Sequence, residues 1–298
     1  MHDAIMACFG DNGLHNMGLS KSNRINQNIA ASIYQTKIAG HCRLVTITWS
    51  KNVMMGHCLQ VNVDDPSFHI TCKVEMRPWR FWMKQGWKSF ATEGHKVEIH
   101  WDLSAAKYAI GPEPQEGYYV AMVCDKEVVL LLGDMSNEAL KKSKAIPSNI
   151  EATLLSRREY LLGKKLFTTK AQIGDGGRMH ELMIEFQTAS DGEPRLCIRV
   201  DRKIAVQVKR LMWKFRGNQT ILVDGVQVEV FWDVHNWLFS CTGEAHAIFM
   251  FQTCLANEKP WLKDITACRS IKEWKAPCTS TDKEPAGFAL VLYASKTP

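Results

Sequence analysis

The chain has 298 residues, 46% of them hydrophobic, and 37 basic against 31 acidic residues give it a net charge of +6. That length suits one large domain or two ordinary ones with ample core, and so mild and scattered a positive excess does not make a nucleic-acid-binding protein. No apolar run approaches the ~20 residues that span a bilayer, so no membrane insertion is expected.

Residues 1–30 are polar and without periodicity, which reads as a flexible N-terminal tail. Strands are expected from about Ala31. His41 to Trp49 alternates, Cys58 to Val63 and His69 to Met76 follow, and Asp64-Asp65-Pro66-Ser67 marks a turn. Residues 104–117, with Pro112 and Pro114, read as a loop. Tyr118–Cys124 and Glu127–Leu132 form a hairpin. One short helix is expected at Ser136–Lys144, capped by Ser136, with Glu138 in its first turn and lysines at its end. Residues 148–163 leave helix and strand open. Lys164–Ile173, His180–Phe186, Leu196–Val200, Ile204–Val208, His246–Phe251 and Gly287–Ala294 read as strands. Residues 254–286 read as irregular. With about fifteen strands, the class is all-β.

A repeat organises this pattern. Trp82 to Asp102 and Trp213 to Asp233 align without a gap at Trp82/Trp213, Gly86/Gly217, Gly94/Gly225, Val97/Val228, Glu98/Glu229, Trp101/Trp232 and Asp102/Asp233. Asp224-Gly225 is a two-residue hairpin turn, and Glu93-Gly94 stands at the matching place. Val226, Val228, Val230 and Trp232 share one face; Gln227, Glu229, Phe231 and Asp233 share the other. The apolar face must be covered by a second sheet or by closure into a barrel. The expected architecture is therefore two tandem, pseudo-symmetric antiparallel modules, 31–147 and 148–298, sandwich- or barrel-like and conceivably lipocalin-like. The polar face either meets water or lines an enclosed volume. Phe231 and His100, at matching positions, lean towards the second.

The ten cysteines contain no C-x-x-C pair, which argues against a structural zinc site. The N-terminus, with Asp3 and Asp11 and no long apolar run, does not read as a secretory leader. Free thiols and a cytoplasmic location are expected.

Several long words resemble one plant family. They are Ile38-Ala39-Gly40-His41, Thr46-Ile47-Thr48-Trp49, Val63-Asp64-Asp65-Pro66, Arg77-Pro78-Trp79 and Val128-Val129-Leu130-Leu131-Leu132-Gly133-Asp134. Trp213-Lys214-Phe215-Arg216-Gly217-Asn218-Gln219-Thr220, Val223-Asp224-Gly225-Val226 and Val230-Phe231-Trp232-Asp233-Val234-His235-Asn236-Trp237-Leu238-Phe239 continue the series. The family is the set of plant proteins grouped as domain of unknown function 868, and the resemblance covers roughly residues 29–295. It implies a plant source and a soluble protein, and it supplies no catalytic residues. His100 stands where the family pattern has an aromatic, and Trp82-Met83-Lys84-Gln85-Gly86-Trp87 also departs from it.

No Walker loop, G-x-G-x-x-G or G-x-S-x-G motif is present, so no cofactor is expected. His57 and His180, each at a strand start, either ligate a metal together or bond locally. Without H-x-H or H-E-x-x-H spacing, local bonding is the expectation. Asp102 and Asp233 either act as acids or accept backbone N–H bonds in the turns that follow them. Two functions are weighed. One is a non-catalytic protein binding a small apolar molecule or a protein partner, with Trp82, Glu98, Trp101, Trp213, Glu229, Phe231 and Trp232 as binding residues. The other is a cofactor-independent isomerase or cyclase working through Asp102, His100, Asp233 and His235.

Overall fold

Alternation becomes strand along most of the chain. The computed structural model describes residues 27–52, 56–64, 69–76, 84–92, 94–109, 111–147, 152–173, 178–190, 192–240, 245–253 and 287–296. The first half runs β1 (Gln27–Ile38), β2 (His41–Asn52), β3 (Gly56–Asp64), β4 (His69–Met76), β5 (Gln85–Thr92), β6 (His95–Asp102), β7 (Lys107–Tyr108), β8 (Pro114–Glu116), β9 (Tyr119–Cys124), β10 (Glu127–Gly133) and helix α1 (Ser136–Ser143). The second runs β11 (Thr153–Gly163), β12 (Leu166–Gln172), β13 (Met179–Thr188), β14 (Pro194–Val200), β15 (Lys203–Val208), β16 (Arg216–Val223), β17 (Val226–Asp233), helix α2 (His235–Phe239), β18 (His246–Thr253) and β19 (Ala289–Lys296).

The all-β expectation holds, with four local corrections and one open stretch decided. The first strand starts at Gln27 instead of Ala31. The 104–117 loop contains the β7–β8 pair, and the open stretch 148–163 contains β11, its residues 148–151 lying outside the described residues. Among the described residues there are two helices instead of one, because Asp233 Oδ1 accepts the His235 N–H and turns the chain out of β17 into α2. Ser136 does not cap α1: the first helical bond runs from Ala139 N–H to the Met135 carbonyl, so Ser136 already lies in the first turn. Asp65, Pro66 and Ser67 of the expected turn, and the irregular stretch 254–286, lie outside the described residues.

A nine-stranded sheet, ordered β16-β17-β18-β19-β11-β1-β2-β3-β4, runs through both halves of the sequence. Its β1–β4 side faces a four-stranded sheet ordered β10-β9-β6-β5. The core between them contains Trp49, Leu59, Val97, Ile99, Trp101 and Met122. Its β16–β19 side faces the sheet β12-β13-β14-β15 across a second core that includes Leu182, Leu196, Val228, Trp232, Phe249 and Leu292. Both cores are therefore sandwich interiors, and both are lined by alternate residues of each strand. At the join, β11 pairs antiparallel with β1 and parallel with β19. The charge-bearing stretch of β11 is neutralised there: Arg157 binds Glu113 (2.7 Å), Glu159 (2.6 Å) and Ser32 (3.3 Å), while Thr169 donates to Glu159.

Two-residue turns with positive φ at both positions close several hairpins: Asp125-Lys126, Asp201-Arg202 and the expected Asp224-Gly225. Two of these aspartates reach sideways as clamps. Asp125 accepts from Lys96 N–H and pairs with His95; Asp201 accepts from Glu181 N–H (3.0 Å) and pairs with His180 Nδ1 (2.8 Å). Arg178 then ties Asp201 (3.0 Å) to Asp224 (2.9 Å), joining a turn of one sheet to a turn of the facing one. The Glu181 N–H, and then the His180 ring, hold the Asp201 carboxyl below the usual carboxylate range. A carboxyl lowered in the folded state stabilises above its unfolded pKa and loses that contribution as pH falls through its folded pKa. Asp201→Asn is therefore expected to flatten the loss of stability below about pH 4. Urea midpoints taken across the acid range check it, and an unchanged acid slope would count against the clamp.

Among the described cysteines, Cys58, Cys72, Cys124 and Cys197 are free, as expected. Cys42, the second residue of β2, is disulfide-bonded, which corrects the expectation of free thiols at that position.

Candidate functional site

The two Trp-Asp strand ends fold alike. In β5–β6, Gly86 pairs with Trp101 and Gln85 with Asp102; in β16–β17, Gly217 pairs with Trp232 and Arg216 with Asp233. Each tryptophan ring lies over its glycine. A Cβ at Gly86 would come within 2.9 Å of the Trp101 ring, and one at Gly217 would come closer still to that of Trp232. Trp232 Nε1 donates to the Lys214 carbonyl at 3.0 Å. Trp101 and Trp232 thus belong to the two cores, at 7% and 6% exposure.

Both aspartates are engaged on each oxygen. Asp102 accepts from Ser104 N–H (3.0 Å) and Lys142 Nζ (2.9 Å), and Lys142 also reaches Gln85 Oε1. Asp233 accepts from His235 N–H (3.0 Å) and Arg216 Nε (2.7 Å). This is the turn-accepting role that the sequence left open beside an acid role. Burial pushes the Asp102 carboxyl up, but Lys142 and the Ser104 N–H more than offset it and leave it below the usual range. The Asp233–His235 bond runs through the backbone. The His235 ring instead packs between Phe215 and Phe239, with Nδ1 3.3 Å from Asn236 Oδ1. Asp102 and His100 lie on β6 of a four-stranded sheet, whereas Asp233 ends β17 of the nine-stranded sheet and His235 opens α2, so the two pairs stand at separate cores.

The outer face of the first four-stranded sheet carries more. Cross-strand rows there are Gln85–Asp102–Tyr119, Trp87–His100–Ala121 and Ser89–Glu98–Val123. Helix α1 covers the Tyr119 and Ala121 side with Ala139. On the β5 side Trp87 is 59% exposed, with its ring nearly parallel to the buried His100 at 6.1 Å between centroids. His100 Nε2 makes no hydrogen bond, and the nearest carboxylate, Glu98 Oε2, is 3.7 Å away. Burial lowers the His100 pKa and Glu98 only partly restores it, which favours the neutral imidazole. Lys96, bonded to Glu98 at 2.7 Å, holds that carboxyl low. The β16–β17 hairpin has half-buried Phe231 at the position that His100 holds in β5–β6.

Of the remaining expected residues, Glu229 accepts from Asn218 (2.7 Å), Trp213 is 83% exposed, and Trp82 lies outside the described residues. His57 and His180 are on different sheets with separate local partners. His57 bonds the Pro112 carbonyl at 3.2 Å and lies 3.8 Å from the Tyr108 ring. His95, Cys124 and Asp125 bring their ligand atoms within 4.8 Å of one another. Burial keeps that thiol protonated, however, and the His180–Asp201 clamp is built the same way with Val200 where Cys124 stands. Lys142, Arg157 and Arg178 are the functional-looking side chains that periodicity missed. The Asp-Lys, Asp-Arg and Asp-Gly dipeptides at hairpin tips were the available signal for the clamps.

No helix of the described residues is long and apolar enough to cross a membrane. No curated protein and no solved structure matches the chain. A family of plant proteins of unknown function (DUF868) matches residues 25–296, nearly all of the sequence, and the chain belongs to that family.

Proposed function

We propose that the protein is a non-catalytic binding protein, and that its ligand site is the open half of the first four-stranded sheet's outer face. The observation that carries this is Trp87, exposed above a buried His100 whose Nε2 has no hydrogen-bond partner among the described residues. An unsatisfied buried nitrogen costs free energy that a ligand can recover. A small, flat apolar molecule bearing one polar group would displace the Trp87 ring, rest on the sheet and bond His100, with Glu98 at the rim. Ligand sites commonly combine an aromatic wall with few polar groups in this way.

The acid–base alternative has less behind it. Asp102 and Asp233 each have one oxygen on a backbone N–H and the other on a cation, which leaves His100 as the available base. Titrating aromatic plant metabolites while following intrinsic fluorescence tests the proposal. Quenching is expected in the wild type, lost in Trp87→Phe and weakened in His100→Phe, which copies the second hairpin. If no compound alters the wild-type emission, the small-molecule reading fails.

A further inference from the structure

From Arg202 to Val223 the chain holds six basic residues and no acidic one. The centre of that run is the turn between β15 and β16, Lys209-Arg210-Leu211-Met212-Trp213-Lys214-Phe215. Its geometry is built. Arg210 has φ 54°, and its carbonyl accepts both Trp213 N–H (3.0 Å) and Lys214 N–H (3.1 Å). Leu211 is fully buried, and its N–H bonds the Pro194 carbonyl, so it anchors the turn to the second core. Anchoring Leu211 throws Met212 and Trp213 outward, at 44% and 83% exposure. Phe239, 41% exposed at the end of α2, packs 5.7 Å from Phe215, the last residue of the turn, and adds a third exposed apolar group. Lys209, Arg210 and Lys214 are exposed and have no carboxylate partner among the described residues.

We propose that this turn docks the protein on an anionic phospholipid surface. A protruding indole with a methionine and a phenylalanine beside it matches the apolar edge of a lipid headgroup layer, where tryptophan concentrates. Three unpaired cations around it complement the negative charge of a cytosolic leaflet. Single-stranded nucleic acid fits less well. It needs successive stacking platforms along a groove, whereas this surface is a turn in which Trp213 is the one ring more than half exposed, with Met212 beside it and Phe239 less exposed. The sequence counterpart in the first copy, Arg77-Pro78-Trp79-Arg80-Phe81-Trp82-Met83-Lys84, lies outside the described residues except for Lys84. It likewise carries three basic residues and no acid, with three aromatic residues against the two of Lys209–Phe215. This surface is carried by strands other than β5 and β6, so it stands or falls independently of the Trp87 site.

Sedimentation with phosphatidylcholine vesicles, with and without phosphatidylserine, tests it on the full chain. Pelleting is expected only with the anionic vesicles, weakening as salt is raised. A blue shift of Trp emission should accompany it. Trp213→Ala should abolish the blue shift and reduce binding at least severalfold. A Lys209→Glu, Arg210→Glu, Lys214→Glu variant should abolish pelleting while keeping the wild-type circular dichroism. Pelleting that is absent, or that survives both variants, overturns the proposal. So does tighter binding of a single-stranded oligonucleotide lost through the same variants, which would make the tip a nucleic-acid surface.

Discussion

Replacing Trp232 with alanine is expected to lower the unfolding free energy by about 3–5 kcal/mol, the range for emptying a buried aromatic site. The ring is 6% exposed, closes one end of the second core, and holds the turn before β16 through the Lys214 carbonyl. Its fit against Gly217 supplies a sharper test. A side chain at Gly217 would overlap the ring, so Gly217→Ala alone should cost roughly 1–3 kcal/mol by overpacking. In the Trp232→Ala background the same glycine change should cost little, because the space it invades is empty. Guanidinium unfolding of the four-protein cycle measures the coupling. Equal costs in both backgrounds would mean that the glycine is not there for the ring. Gly86 and Trp101, with a looser approach, should show the same coupling at smaller amplitude.

Arg157→Met should be comparably damaging, at about 3–5 kcal/mol, since it strands buried Glu159 and half-buried Glu113 without their cation. A buried ion pair adds little over an apolar pair of like volume, but a lone buried charge is costly. The double variant Arg157→Met, Glu159→Gln should therefore recover part of the loss. If it is no more stable than the single variant, the damage comes from lost packing by the arginine stem and the charge argument fails. Denaturant midpoints at neutral pH decide between the two.

Local features were legible in the sequence because they depend on near neighbours. Alternation placed Val97, Ile99, Val228 and Val230 in the interior, and all four are fully buried. Asp102 and Asp233 accept the N–H two residues on, as aspartate does after a strand. β11 was not legible. Ser156-Arg157-Arg158-Glu159 breaks its alternation, and those charges are tolerated only because Glu113, Ser32 and Thr169, distant in sequence, meet them. The nine-stranded order was hidden for a related reason: a parallel pairing between β11 and β19 leaves no mark on either strand alone. Trp213 and Trp232 looked interchangeable as binding residues. One precedes its strand, where period-2 alternation does not reach, and it faces outward; the other ends its strand in the interior. His100 stands out in the sequence where Phe231 is its match, but the lack of a hydrogen bond on its Nε2 beneath Trp87 follows from tertiary packing that no single strand encodes.

The slot between β18 and β11 is filled by β19, whose partners were all translated earlier. During synthesis the first sandwich has every strand it needs well before then. The second must wait with one of its two layers split, leaving the hydrogen-bonding edges of β11 and β18 uncovered. A nascent chain stalled ahead of Ala289 would thus expose two sticky borders beside a finished neighbour, which makes that window the point at which chaperone capture or mispairing competes with completion.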